Sequence, residues 1–416
     1  MTRAIAALLV AVALVVPFDS QRPLLAQGKS EGRLVAVGDI HGSIEGIRDV
    51  LKKAGIADAS GAWTGGRDTF VQTGDFTDRG EHVRAVLDLL MTLEAQAKDA
   101  GGRAVSLLGN HEVMNLIGDT RDANPPIFAT FADPQSATRQ SAGWDAYRTL
   151  IAARKARGAA VPTGLAQTRE AFNAAHPIGY IEYREALGPG GKYGVWLRGK
   201  AMVANVNGSI FMHAGIPPTG APQKIDQLND KVRDEVRRMD RYVQRLVDKK
   251  LALPFFTLGE IIQVSSAEIA SANQVIADAK ASGKDVDPLN LDLSLLAEAG
   301  EILKIDKWLS LDADGALWWR GLSTLPDDSA GGPLVSLLAR YGAQRFVTGH
   351  TPTADRRIHV RFGGRAILID TGMNTAFYHG RWSALEIIGD QLTAIYDDGR
   401  VPLSATRAAA VNERRN

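Results

Sequence analysis

The chain has 416 residues, of which 45% are hydrophobic and 23% charged, the range of folded globular proteins rather than of disordered or fibrous chains. Its 48 Lys and Arg nearly cancel its 47 Asp and Glu, for a formal charge of +1, which excludes a surface built mainly to hold nucleic acid but not a site for a small anion. The absence of cysteine excludes disulfides, thiolate metal sites, cysteine nucleophiles and cysteine-borne lipid anchors, so any metal must be held by nitrogen and oxygen.

At roughly 150 residues per domain the length points to two or three domains, or to one large α/β domain carrying insertions. The chain opens with Met-Thr-Arg, an apolar run from Ala4 to Val16 and a polar stretch from Asp19. This has the form of a secretory signal peptide, cut after Ala26. The run is too short for a membrane span of about 20 residues. The expectation is an exported protein, periplasmic or secreted, with no stable membrane span after cleavage.

From residue 33 a unit recurs, in which a short apolar strand runs into glycine and polar residues and then a helical stretch. Arg33 to Val37 leads into Gly38-Asp39-Ile40-His41-Gly42, Thr69 to Thr73 into Gly74-Asp75-Phe76-Thr77-Asp78-Arg79-Gly80, and Ala104 to Leu108 into Gly109-Asn110-His111-Glu112. Strands alternating with helices predict an α/β layered fold, whose ligands gather at the carboxyl ends of strands. Residues 120–190 lack this rhythm and read as an insertion. Strand signals return at Val195 to Arg198, Ala201 to Val206 and Ser209 to Met212, with Asn207-Gly208 as a hairpin turn.

Residues 224–309 read as helical. Leu228, Val232, Val236, Met239, Val243 and Leu246 form an apolar stripe at spacings of four and three, the mark of a packed helical face. Ser265 to Glu268 reads as a capping box opening a second helix that Gly283 closes. This segment looks like a cap over the site, a second insertion in one core spanning 27–416. Strands resume at Arg345 to Thr348, Ala366 to Ile369, Ala384 to Ile388 and Leu392 to Tyr396.

Of eight histidines, His41, His111, His213 and His350 fall in glycine-flanked turns just after strands. Carboxylates, an amide oxygen and imidazoles suit Mn, Fe, Zn or Co in a nitrogen and oxygen site. Asp39 and His41 project from one tight turn toward one ion. Asp75, at the next strand end, would bridge to a second ion that Asn110, His213 and His350 complete. Two ions about 3.5–4 Å apart clamp the attacking and leaving oxygens of a displacement at phosphorus and turn bound water into hydroxide. His82, His176, His359 and His379 lie outside these clusters and read as surface or core residues.

The ordered series Gly-Asp-Ile-His-Gly (38–42), Gly-Asp-Phe-Thr-Asp-Arg-Gly (74–80), Gly-Asn-His-Glu (109–112), His-Ala-Gly (213–215) and Gly-His-Thr (349–351) resembles the calcineurin-like metallophosphoesterase superfamily. Within it, the chain is similar to the phosphoprotein phosphatase branch and its bacterial Shewanella-like members. The resemblance implies a layered β-sandwich core flanked by helices. It also implies a two-metal phosphomonoesterase, specifically a protein phosphatase, in which metal-bound hydroxide attacks in line without a phosphoenzyme.

The same resemblance makes Asp39, His41, Asp75, Asn110, His213 and His350 the metal ligands and His111 the general acid, oriented by Asp78. Arg79 becomes a phosphate clamp, a role suited to a planar, permanently charged fork. Leu317-Trp318-Trp319-Arg320-Gly321 is similar to an element of the bacterial branch in which the arginine, here Arg320, makes a second phosphate contact. The paired tryptophans read as core packing, and Glu112 as a hydrogen-bonding brace.

Two positions depart from the pattern: Ala214 stands where the phosphoprotein phosphatases usually have glycine, and Ser43 where an acidic residue is frequent. No regulatory-subunit feature is recognisable. The implied substrate is a phosphorylated protein. Hydrolysis of nucleotides or dinucleoside polyphosphates is the alternative, and an exported binding protein without turnover is a third reading.

Overall fold

The computed structural model describes residues 32–404 apart from positions 157, 163, 166–167, 284–290 and 329–330. The leader expected over residues 1–26 lies outside them. Strands β1 (Leu34–Val37), β2 (Thr69–Gln72) and β3 (Arg103–Ser106) pair in parallel, joined by helices α1 (Ile44–Lys53) and α2 (Val83–Asp99). Six helices follow: α3 (Asn110–Leu116), α4 (Pro125–Ala129), α5 (Ser136–Ala156), α6 (Arg169–Ala175), α7 (Tyr180–Leu187) and α8 (Lys192–Arg198).

A hairpin of β4 (Val203–Val206) and β5 (Ser209–Met212) turns on Asn207 and Gly208, both at positive φ, as its two-residue loop requires. Next come α9 (Asp226–Asp248), α10 (Leu258–Ala281), α11 (Leu293–Ile302), α12 (Gly321–Thr324) and α13 (Gly331–Arg340). The chain closes with β6 (Arg345–Thr348), β7 (His359–Arg361), β8 (Ala366–Leu368), α14 (Thr375–Tyr378), β9 (Ser383–Ile388), β10 (Gln391–Tyr396) and β11 (Gly399–Leu403). Among the described residues no helix is long and apolar enough to cross a membrane.

The strands form two sheets, ordered β11-β10-β9-β1-β2-β3 and β4-β5-β6-β8-β7. Alternation along each strand explains how they stack. Leu34, Ala36, Val71, Leu385 and Ala394 of the first sheet share an apolar cluster with Phe211, Val347 and Ile367 of the second. Their chain neighbours Val35, Val37, Phe70, Met212 and Phe346 belong to the cluster that includes the helices. Both faces of the parallel strands are therefore covered, which is why they read as continuous apolar runs.

Two expected elements differ. Val195 to Arg198 ends helix α8 rather than forming a strand; Tyr193 and Leu197, one turn apart, are its buried face, while Val195 is 58% exposed. A run of three apolar residues carries no period that separates strand from helix. Helix α10 starts at Leu258, where Thr257 and Glu260 form the capping box, and Ser265 lies inside it, donating to the Ile261 carbonyl. The end of α10 is as expected, with Gly283 at φ 64° just beyond it. The stripe on α9 is buried at Leu228, Val232, Val236, Met239 and Leu246.

Helices from the two insertions expected over 120–190 and 224–309 join through polar contacts. Fully buried Arg154 meets Glu268 at 2.7 Å and donates to the Ala160 carbonyl, His176 meets Glu260 at 3.0 Å, and Tyr180 donates to the Phe255 carbonyl. Replacing Arg154 with Ala strands a largely buried carboxylate and is expected to cost about 3 kcal/mol. The urea midpoint should fall with an unchanged slope.

Candidate metal centre

All the expected site residues but Arg320 sit where the topology brings parallel strand ends together. Asp39 and His41 follow β1, Asp75 follows β2, and Asn110 opens α3 just after β3. His213 follows β5 and His350 follows β6. These six side chains come from two sheets, yet each is no more than 7% exposed.

The ligand atoms form two overlapping groups, one of His41, Asp75 and His111 and the other of Asp75, His213 and His350, each within 4.8 Å. Asp39 stands beside each group without belonging to either, 3.9 Å from His41 Nε2 and 3.8 Å from His213 Nδ1. Asp75 lies 3.6 Å from His41, 3.7 Å from His111 and 3.1 Å from His213. It is thus the one carboxylate shared by both groups.

The residues fit metal ions on several grounds. His41 Nδ1 faces the Thr77 carbonyl at 2.9 Å and His350 Nε2 the Trp318 carbonyl at 3.1 Å. Each donates there and leaves its other nitrogen toward the cluster, the arrangement metal-bound histidines adopt. Asn110 Oδ1 and His213 Nδ1 are buried without a hydrogen-bond partner among the described residues.

The electrostatics agree. Burial, reinforced by the charges of Asp370 and Asp75, pushes the Asp39 carboxyl well above its usual range. Burial also pushes Asp75 up, but His213, His111 and His41 outweigh it and hold Asp75 well below. Burial lowers His41 to about 3, and burial with His213 beside it lowers His350 well below the usual imidazole range. Neutral imidazoles around crowded carboxylates are what divalent cations need, since buried charge requires a counter-charge.

The backbone is bent to serve this geometry. His41, Asp75, Asp78, Arg79 and His350 all have φ between 44° and 70°, a region non-glycine residues rarely occupy outside functional sites. Gly109 and Gly349 are required by close approach: a Cβ at either would lie 2.1 Å from a carboxylate oxygen of Asp75 or Asp39. Glu112 anchors the turn. Its carboxylate accepts from the amides of Asp75, Phe76, Thr77 and Gly109 and from the Thr77 hydroxyl, at 2.7–3.0 Å.

His111 points its Nδ1 at Asp78 at 2.8 Å. Burial alone would lower its pKa, but Asp75 and Asp78 overcome that and hold it at about 9. Arg79 brings Nη2 to 3.5 Å from His111 Nε2 and 3.4 Å from Asp122, with its guanidinium 4.7 Å from the centre of the Phe377 ring. Arg320 is exposed and makes no side-chain hydrogen bond among the described residues, yet its charge is near enough to help depress His350. Trp318 is half-buried, packs against the core and stands edge-on to His350.

Sequence reasoning missed Asp370, Asp122, Asn115, Asn374 and the aromatic pair Phe377 and Tyr378. Asp370 lies beyond β8, buried against Asp39 and pushed by burial to about 6. Its signal was one more strand running into an acid and a glycine, Asp370-Thr371-Gly372, overlooked because no histidine marks it. Asn374 donates to the His41 carbonyl and Asp122 supplies the carbonyl for the Arg79 amide; no local pattern announces either.

The Calcineurin-like phosphoesterase family pattern matches residues 32–235. An uncharacterized protein of Schizosaccharomyces pombe is 27% identical over 87% of this chain and 79% of its own length. Shewanella-like protein phosphatase 2 of Arabidopsis thaliana is 42% identical over 25% of this chain and 27% of its own. In fold, the chain is similar to a point mutant of a cold-active protein tyrosine phosphatase, with TM-score 0.54, 22% identity and coverage of 90% of this chain and 80% of the other. Over residues 32–235 the chain is similar to the calcineurin-like phosphoesterases, and with its phosphatase relatives and its buried histidine and aspartate groups it is a metal-dependent hydrolase of phosphoric esters.

Proposed function

We propose that the protein is a two-metal phosphoprotein phosphatase whose preferred residue is phosphotyrosine. The observation that carries the reading is the buried convergence of Asp39, His41, Asp75, Asn110, His213 and His350 beside the His111–Asp78 pair and the Arg79 guanidinium. Asp39, His41 and Asp75 would hold one ion, and Asp75, Asn110, His213 and His350 the other. When bound, such ions activate water and neutralise charge on the phosphoryl oxygens.

The chain's own residues do the rest. Asp78 accepts from His111 Nδ1–H, which leaves Nε2 to deliver a proton to the departing oxygen. Arg79 offers its fork to the phosphate oxygens, steadied by Asp122 and Phe377. Arg320 would add a second phosphate contact from the outside.

Phe377 supports the choice of amino acid. It is 51% exposed, with the Arg79 guanidinium against its ring. Such a flat apolar face suits an aromatic leaving group, worth about 1 kcal/mol through ring stacking. Manganese-loaded protein should hydrolyse 4-nitrophenyl phosphate, and should favour phosphotyrosine peptides over phosphoserine peptides and nucleotides. Phe377→Ala should erase most of the tyrosine preference, about fivefold in kcat/KM. Absence of any phosphoester hydrolysis would sink the reading, and a preference for nucleotides would replace its substrate.

A further inference from the structure

The hydrogen bonds behind His111 do not end at Asp78. The fully buried Asp78 carboxylate faces His111 Nδ1 on one oxygen and receives the Asn115 amide on both, at 2.9 Å each. The same amide nitrogen donates to the His111 carbonyl at 2.9 Å. On its other side, Asn115 Oδ1 accepts from the Tyr183 hydroxyl at 2.6 Å, and Arg184 donates to the Asn115 carbonyl at 2.7 Å. Only this orientation of the amide pairs donors with acceptors; flipped, its oxygen would face a carboxylate and a carbonyl.

Tyr183 belongs to α7, in the segment that follows β3 and its polar turn. Its ring is itself held edge-on by Phe128 and Phe131, at 5.2 Å and 5.0 Å. Tyr183 and Asn115 are both fully buried, so neither bond competes with solvent. We infer that Tyr183 and Asn115 are positioning residues for the proton-donating histidine. Tyr183 sets the rotation of the Asn115 amide, the amide sets the plane of the Asp78 carboxylate, and Asp78 sets the ring and tautomer of His111. The helical segment after β3 thereby takes part in the chemistry without touching substrate. This inference rests on the general-acid role proposed for His111.

A brace on a proton donor matters in proportion to how much the departing oxygen needs a proton. Phenolate and serine alkoxide need one badly; 2,4-dinitrophenolate hardly does. The test therefore compares wild type with Tyr183→Phe, which keeps the ring and removes only the hydroxyl, and with Asn115→Ala. On phenyl phosphate, kcat should fall about tenfold for Tyr183→Phe and further for Asn115→Ala, with KM unchanged. On 2,4-dinitrophenyl phosphate, kcat should be unchanged.

Equal losses on both substrates would reduce the pair to ordinary packing and overturn the inference, as would no loss on either. His111→Asn separates this outcome from failure of the general-acid reading. If that variant also lacks leaving-group dependence, the histidine is not the proton donor. If it shows the dependence and Tyr183→Phe does not, only the brace is lost.

Discussion

Asp75→Asn is expected to lower kcat/KM on 4-nitrophenyl phosphate by at least about 10³-fold, because each of the two proposed ions would lose a shared anionic ligand. Metal-assisted charge stabilisation is worth several kcal/mol, and about 4 kcal/mol is already three orders of magnitude. Asp75 is singled out by geometry: it is the only residue in both ligand groups, with His41, His111 and His213 all within 3.7 Å. The substitution keeps the side chain's size and its capacity to accept from the His111 amide.

A readout independent of turnover is available in thermal stability. Wild-type protein should gain about 2.7 kcal/mol when manganese is raised to a hundredfold above its dissociation constant. The variant should show little of this gain. A variant that binds two ions and turns over normally would remove Asp75 from the bridging position.

The second large effect lies in the brace rather than among the ligands. Glu112→Gln is expected to cost about 4 kcal/mol of stability and 10- to 100-fold in kcat/KM. Glu112 is fully buried and gathers five donors on two oxygens: the Asp75 and Gly109 amides on one, the Phe76 and Thr77 amides and the Thr77 hydroxyl on the other. A glutamine has one oxygen, so its amide group must face at least two backbone N–H groups without an acceptor.

Those amides belong to the turn in which Asp75 is held at φ 57°. Such a conformation costs about 1–3 kcal/mol and persists only when its surroundings impose it. The urea midpoint and the kinetics on 4-nitrophenyl phosphate should therefore fall together. A variant as stable and active as wild type would show that the turn holds itself.

How much was legible beforehand follows the range of each signal. Strands β1, β2 and β6 lie where apolar runs between glycine-rich turns placed them, because a run and its punctuation are local. The α10 boundary was not legible. Thr257 with Glu260 and Ser265 with Glu268 are equally good capping pairs on paper, and burial of Leu258 and Ile261 chooses between them. Val195 to Arg198 failed for a related reason, since the buried pair Tyr193 and Leu197 outweighs a short apolar run.

The centre divides in the same way. Residue types and order were enough to specify a nitrogen and oxygen donor set, free of sulfur and carried on turns after strands, because each motif lies within a few residues of chain. Which carboxylate meets which imidazole was decided by the pairing of β1 with β2 and of β5 with β6, together with the stacking of the two sheets. So were the seating of Arg79 against Phe377 and the reach of Tyr183 to Asn115 across 68 residues. Contacts between distant residues depend on strand register and on how helices pack over the sheets, and no local stretch of sequence encodes either.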